Sequence, residues 1–291
     1  LHYPLRRQRQ MCIRDRVTTA QWGWTIALFL WFIGLAGMSL VLNVWLRSKL
    51  VLVISAISAV VGTLFVLSHL HRLLNLPMAA INSLLEWKFN FASWMFIGIC
   101  ILAVLCLVTI FESFRVWKGN NGALECKYSL WFNGVLGLAA TAYSGFLLTQ
   151  AVGIPLWTTA SLPILWVFSG LACAIGLVEI LASTNRLSYE GLSWLSLTAN
   201  LVHIGEAIVL FAFLQVAFAG TPGAVAGAQG MLGDTMFWAG AVGLGIVVPV
   251  ILGNLKGGAS LKLVSGVCAI IGALCLRASV LFAGVFDPVI F

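Results

Sequence analysis

The chain has 291 residues, of which 61% are hydrophobic and only 9% charged. A soluble domain carries roughly 25% charged residues, so a water-soluble enzyme or a nucleic-acid-binding domain is excluded, because too few polar groups remain to cover the surface. The formal net charge of +7 does not indicate a polyanionic partner, since Arg6, Arg7, Arg9, Arg14 and Arg16 of the 16 Lys/Arg all fall in one short N-terminal stretch.

That stretch, Leu1–Arg16, differs sharply in composition from the rest of the sequence. The string Met11-Cys12-Ile13-Arg14-Asp15-Arg16 resembles translated adapter read-through. The native chain is therefore expected to begin near Val17, with residues 1–16 a non-native tail; a basic cytoplasmic tail is the alternative.

A membrane-crossing helix needs about 20 mostly apolar residues. Eight such runs occur in order: 20–46, 49–70, 92–114, 128–152, 160–182, 192–219, 231–253 and 260–286. The charges and most turn signals lie between them, as in Lys118-Gly119-Asn120-Asn121-Gly122 and Lys256-Gly257-Gly258. No sustained alternation of apolar and polar residues suggests a barrel. The expected fold is an all-α integral membrane protein of eight transmembrane helices in two four-helix bundles, 17–152 and 153–291. The link Leu46–Lys49 is so short that the first two spans should be antiparallel neighbours. The 12 Trp suit the headgroup region, and the 29 Gly suit close helix approach.

Lys and Arg set the orientation. Links 1–2, 3–4, 5–6 and 7–8 hold Arg47, Lys49, Arg115, Lys118, Lys127, Arg186, Lys256 and Lys262, whereas the other three links hold only Arg72 and Lys88. The charge-rich face is expected to be cytoplasmic, with both termini outside. On the opposite face, link 4–5 (Ala151–Thr159) carries no charge, and link 6–7 (Gly220–Gly230) contains only Gly, Ala, Pro, Thr, Val and Gln. Such surfaces suit burial beneath another subunit; flexible loops are the alternative.

Ionisable groups at bilayer depth are costly, and each is a candidate functional site. Glu112 and Glu179 lie near the charge-rich ends of their spans, where snorkelling or interfacial placement accounts for them. His203 and Glu206 lie near the middle of the sixth span, three residues apart and hence on one helix face. Proton transfer and an interhelical hydrogen bond are both open to them. Arg277 in the last span must face protein, water or a polar ligand, and a salt bridge to Glu206 is one option. His69 and His71, followed by Arg72, close the second span, where an imidazole suits proton exchange. Tyr143, followed by Ser144 and Gly145, offers a phenol donor.

The seven cysteines form no C-x-x-C, and Cys100, Cys106, Cys173, Cys268 and Cys275 fall in apolar runs, so no metal site and no iron–sulfur cluster is expected in this chain. Two membrane haems need four axial histidines paired by depth, and outside the tail only His69, His71 and His203 are available. Haem is therefore not expected.

Several segments resemble the NrfD/polysulfide reductase family, which includes the membrane anchors of dimethyl sulfoxide reductases. They are Gln21-Trp22-Gly23-Trp24 through Gly34-Leu35-Ala36-Gly37, His69 through Leu76-Pro77-Met78 to Ser93-Trp94-Met95, Tyr143-Ser144-Gly145-Phe146 with Gly153-Ile154-Pro155-Leu156-Trp157, and Arg277 with Phe282-Ala283-Gly284. The resemblance implies a menaquinone-binding anchor in a bacterial or archaeal cytoplasmic membrane. It implies two partners, a ferredoxin-like iron–sulfur subunit and a molybdopterin catalytic subunit. On this view His69, His71 and Tyr143 handle quinone protons and carbonyls, and Arg72, Trp94, Ser144 and Arg277 help bind the quinone. The family's second-to-third-helix link is shorter and contains a Gly, so the resemblance leaves open which histidine corresponds. Two other functions fit the residues: a structural anchor that has lost quinone exchange, and a proton or solute transporter built on His203 and Glu206.

Overall fold

The computed structural model describes residues 22–69, 93–187, 194–255 and 258–287. Among them, eight helices are long and apolar enough to cross a membrane. They are α1 (Trp24–Leu46), α2 (Lys49–His69), α3 (Trp94–Trp117), α5 (Lys127–Thr149), α6 (Ser161–Ser183), α7 (Leu195–Phe218), α9 (Met236–Asn254) and α10 (Ala259–Phe282). Two shorter helices, α4 (Gly122–Glu125) and α8 (Pro222–Gly233), lie in links. The protein is thus a multi-pass, all-helical membrane protein.

The turn between α1 and α2 shows how the sequence makes a tight reversal. Arg47 adopts the left-handed conformation at φ 48°, and its amide closes onto the Asn43 carbonyl. The Asn43 side chain then accepts a 2.8 Å hydrogen bond from the Ser48 amide. One asparagine thereby satisfies backbone that would otherwise be orphaned at the helix end.

In lipid there is no hydrophobic drive between helices, so close packing of small residues takes its place. α1 packs on α2 and α5, with α3 against both of these; α6 packs on α7 and α10, with α9 against α10 and α7. The two sets meet where α6 lies against α1 and α5. Gly37 of α1 faces Gly137 of α5 so closely that a Cβ on either would strike the other's backbone. Gly176 of α6 and Gly266 of α10 repeat the arrangement, with a Cβ on Gly176 falling 2.7 Å from the Gly266 carbonyl oxygen. The first part of α9, Met236–Val247, is wound as a π-helix.

Two links differ from the loops that composition allows. Residues 222–233 of link 6–7 form α8, with Pro222 in its first turn. Asp287, far along the sequence, accepts hydrogen bonds from the Thr221 hydroxyl (2.9 Å) and the Gly223 amide (2.8 Å), anchoring the start of that helix. Link 4–5 folds back on the end of α10: Ile154, Leu156 and Trp157 are buried, and the Trp157 indole donates to the Val280 carbonyl at 2.9 Å. Both links therefore cover this protein's own core, although Val152 remains 82% exposed. Glu112 and Glu179 lie near the charge-rich ends of α3 and α6, as expected. Neither snorkels: both are buried, and Glu112 accepts hydrogen bonds from the Ser129 hydroxyl at 2.6 Å and from the Asn133 amide.

Candidate functional site

The residues singled out from sequence fall into three separate groups. The first lies between α3 and α5, on the charge-poor side. Ser93 caps α3 by accepting from the Phe96 amide at 3.5 Å, so Trp94 begins the helix. Trp94 and Gly98 share a face of α3, and Tyr143 and Phe146 share a face of α5. Trp94 stacks on Phe146, with centroids 5.1 Å apart at 21°. The Tyr143 ring occupies the space where a side chain at position 98 would sit, lying on Gly98 with only 5% of its surface exposed. No described residue hydrogen-bonds its hydroxyl. Sequence inspection did not single out Gly98, because the only signal was one glycine among many in an apolar run.

Ser144 follows Tyr143 but does not join it. Its hydroxyl donates to the Thr141 carbonyl one turn back, at 2.6 Å. The neighbouring Thr141 and Gly145 face α6, where a Cβ on Gly145 would lie 2.5 Å from Pro163. His69 is the last residue of α2; its side chain, His71 and Arg72 lie outside the described residues.

The second group surrounds Arg277, which is fully buried (0%) between α1, α6 and α10. Its guanidinium donates to the Ser169 hydroxyl (2.8 Å), the Ala273 carbonyl (3.1 Å) and the Trp166 carbonyl (3.2 Å). It also lies 5.4 Å from the Trp166 ring centroid and abuts Gly34, where a Cβ would stand 2.5 Å away. Among the described residues no carboxylate forms a salt bridge with it, so the direct pair with Glu206 allowed by sequence is absent. Nor does Arg277 reach the Tyr143 group, since its hydrogen bonds all run to α6 and its own helix.

The third group is His203 and Glu206 on α7, exposed by only 2% and 3%. The His203 Nδ1 and Glu206 Oε2 atoms are 3.7 Å apart, too far for a hydrogen bond, and both lack another partner. Among the described residues no three His, Cys, Asp or Glu side chains come together as a metal site.

Comparison with known proteins agrees with this architecture. Residues 15–288 match the family described as Polysulphide reductase, NrfD. The sequence is 27% identical to Protein NrfD of Escherichia coli (strain K12), over 90% of this protein and 94% of that one. It is 24% identical to the C chain of polysulfide reductase from Wolinella succinogenes, over 93% and 96%. It is 21% identical to the Protein NrfD homolog of Haemophilus influenzae, over 90% and 94%. A match across nearly the whole length, on a fold of eight membrane-crossing helices, establishes that this protein belongs to the NrfD polysulphide reductase family.

Proposed function

We propose that this protein is the quinone-binding membrane anchor of a multisubunit oxidoreductase, exchanging electrons between menaquinol and a docked iron–sulfur subunit, with a molybdopterin subunit completing the complex. Family membership supports the anchor role, and the name of the Wolinella relative, the C chain of a reductase, implies companion chains. The charge-poor face, whose links 4–5 and 6–7 carry no charge, is the docking side in this reading and lies outside the cytoplasm.

The observation that carries the quinone assignment is the Tyr143 phenol. It is seated on Gly98 beside the Trp94–Phe146 stack, and no described residue takes its hydrogen bond. These residues fit a quinone, which needs a donor for a carbonyl oxygen and an apolar wall for its ring. When bound, a quinone supplies a lipid-soluble carrier of two electrons and two protons. Tyr143 would donate to the carbonyl oxygen, and Trp94 and Phe146 would exclude water from it. His69, the last residue of α2, or His71, two residues on in sequence, would exchange protons with the aqueous phase, because imidazole ionises near neutral pH. Arg277 and Ser144 take no part in this reading, since the Arg277 guanidinium is held on α6 and its own helix away from Tyr143, and the Ser144 hydroxyl donates to its own helix.

The test uses the intact complex purified from membranes. Tyr143→Phe removes one hydrogen bond of about 1 kcal/mol, so quinol-dependent turnover should fall roughly fivefold. Activity with a soluble electron donor to the partner subunits should be unchanged. Unaltered quinol turnover in Tyr143→Phe, His69→Ala and His71→Ala alike would overturn the assignment.

A further inference from the structure

Among the eight spans α3 is the least buried within the protein. Its buried residues, Gly98, Leu102, Leu105, Thr109, Glu112 and Val116, follow one another at steps of four and three and so form a single stripe. The stripe meets α5 at two places. Gly98 lies under the Tyr143 ring, and Glu112 is hydrogen-bonded by Ser129 and Asn133. Fourteen residues separate Gly98 from Glu112, a rise of about 21 Å. Between them the stripe is apolar apart from Thr109, whose hydroxyl turns back to the Leu105 carbonyl of its own helix at 2.7 Å. Apolar packing is non-directional. In lipid a leucine loses little when its helix slides by one turn, because the tails it meets are equally apolar. The register of α3 must therefore be set by features that occur once. On the α2 side Thr63 touches Cys106 at 3.3 Å, but its hydroxyl also meets the Ala59 carbonyl at 2.8 Å, and a thiol is a weak partner.

Glu112 is such a feature. The Ser129 hydroxyl donates to one carboxylate oxygen at 2.6 Å, and the Asn133 amide donates to the other. Glu112 and Asn133 are exposed by only 9% and 4%. Ser129 and Asn133 stand one turn apart on α5, so they bracket the carboxylate along the helix axis. A slide of α3 by one turn, about 5.4 Å, would break both bonds and leave a buried carboxylate against apolar side chains, which is strongly unfavourable. The Gly98 seat, by contrast, is a fit of shape with no bond across the helices. Asn133 also keeps its buried Oδ1 atom without a partner. Turned over, the same amide presents that oxygen, so Glu112→Gln can keep both bonds while losing the charge.

We propose that Glu112, through Ser129 and Asn133, is the register pin of α3 on α5, and so a positioning residue for the Tyr143 hydroxyl at the far end of the same stripe. The pin works through its hydrogen bonds and not through its charge. A buried polar group that fixes register while adding little stability is the best attested use of such groups. The effect of the pin on quinol rests on the function proposed above, whereas the pin itself does not.

The test measures register directly, in the full-length protein in lipid nanodiscs. Genetically encoded spin labels replace Met95 of α3 and Phe132 of α5, both exposed and near opposite ends of the stripe, so that their separation reports axial sliding. With the pin intact a single distance is expected, and Glu112→Gln should keep it. Glu112→Leu combined with Asn133→Leu should add a second distance about 5 Å away. Its unfolding midpoint should not fall, because an apolar pair can be as stable as a buried polar one and differs in specificity. In the intact complex the leucine variant should lower kcat/KM for quinol about fivefold, the loss of one hydrogen bond at Tyr143, with soluble-donor activity unchanged and quinol kinetics rescued in Glu112→Gln. A single unchanged distance in the leucine variant, or a second distance in Glu112→Gln, would overturn the pin. A second distance with unaltered quinol kinetics would support the pin and overturn the Tyr143 assignment. Should the leucine variant fail to fold, Glu112→Ala should give the second distance, and its absence there would overturn the proposal.

Discussion

Gly98→Ala is the sharpest test of the geometry around Tyr143. The added methyl would enter the volume filled by the phenol ring, and the ring has little freedom to yield because Trp94 and Phe146 stack beside it. Overpacking of this kind costs ~1–3 kcal/mol, and relief by backbone movement would pull α3 away from α5. The same substitution in a Tyr143→Ala background meets no ring. There it should be neutral or stabilising by up to ~1 kcal/mol, the usual gain of Ala over Gly inside a helix. The two effects differ by roughly 1–4 kcal/mol, well above the few tenths expected for independent sites. Unfolding midpoints in detergent for the wild type, both single variants and the double variant measure this coupling. An equal cost of Gly98→Ala with and without the Tyr143 ring would refute the packing of that ring on α3. In the complex, Gly98→Ala should also lower quinol-dependent turnover, because it moves the same hydroxyl.

Arg277→Lys keeps the charge but cannot reproduce the planar fork to Ser169 and the Ala273 and Trp166 carbonyls. Losing one or two of these charge-assisted bonds should cost about 1.5–3 kcal/mol each, read as a lowered unfolding midpoint. Asp287→Ala removes the acceptor for the Thr221 hydroxyl and the Gly223 amide. It should destabilise the start of α8 by about 1 kcal/mol, seen as faster amide hydrogen exchange there with α6 and α10 unaffected. Gly37→Val should separate α1 from α5 and abolish recovery of folded protein, whereas Gly23→Val, with open space around it, should not.

The number and placement of the spans were legible because lipid imposes a length and a polarity that no soluble alternative satisfies. Boundaries moved where a local rule met a distant partner. Gly220–Gly230 reads as a loop from its glycines, yet α8 forms because Asp287 caps it from 64 residues away. Similarly, Ala151–Thr159 reads as an uncharged surface, yet Trp157 is drawn inward by the Val280 carbonyl. At the candidate site, Tyr143 was legible as a lone phenol at depth, but Gly98 was not, since nothing in an apolar helix marks which glycine a ring will need. The family resemblance grouped Ser144 and Arg277 with Tyr143 at a quinone site, whereas in the structure their hydrogen bonds run elsewhere. A step of one residue turns a helix by about 100°, and that step sends Ser144 back onto its own helix.

By itself, the sequence determined the solvent, the helical class, the count of eight and the sidedness of charge, because each follows from composition summed over a whole span. Only the tertiary structure decided which buried polar groups meet. Helix rotation and close approach at glycines set Tyr143 against Gly98 and the Arg277 guanidinium against Ser169 and Trp166, and those contacts depend on pairs of helices rather than on any one of them.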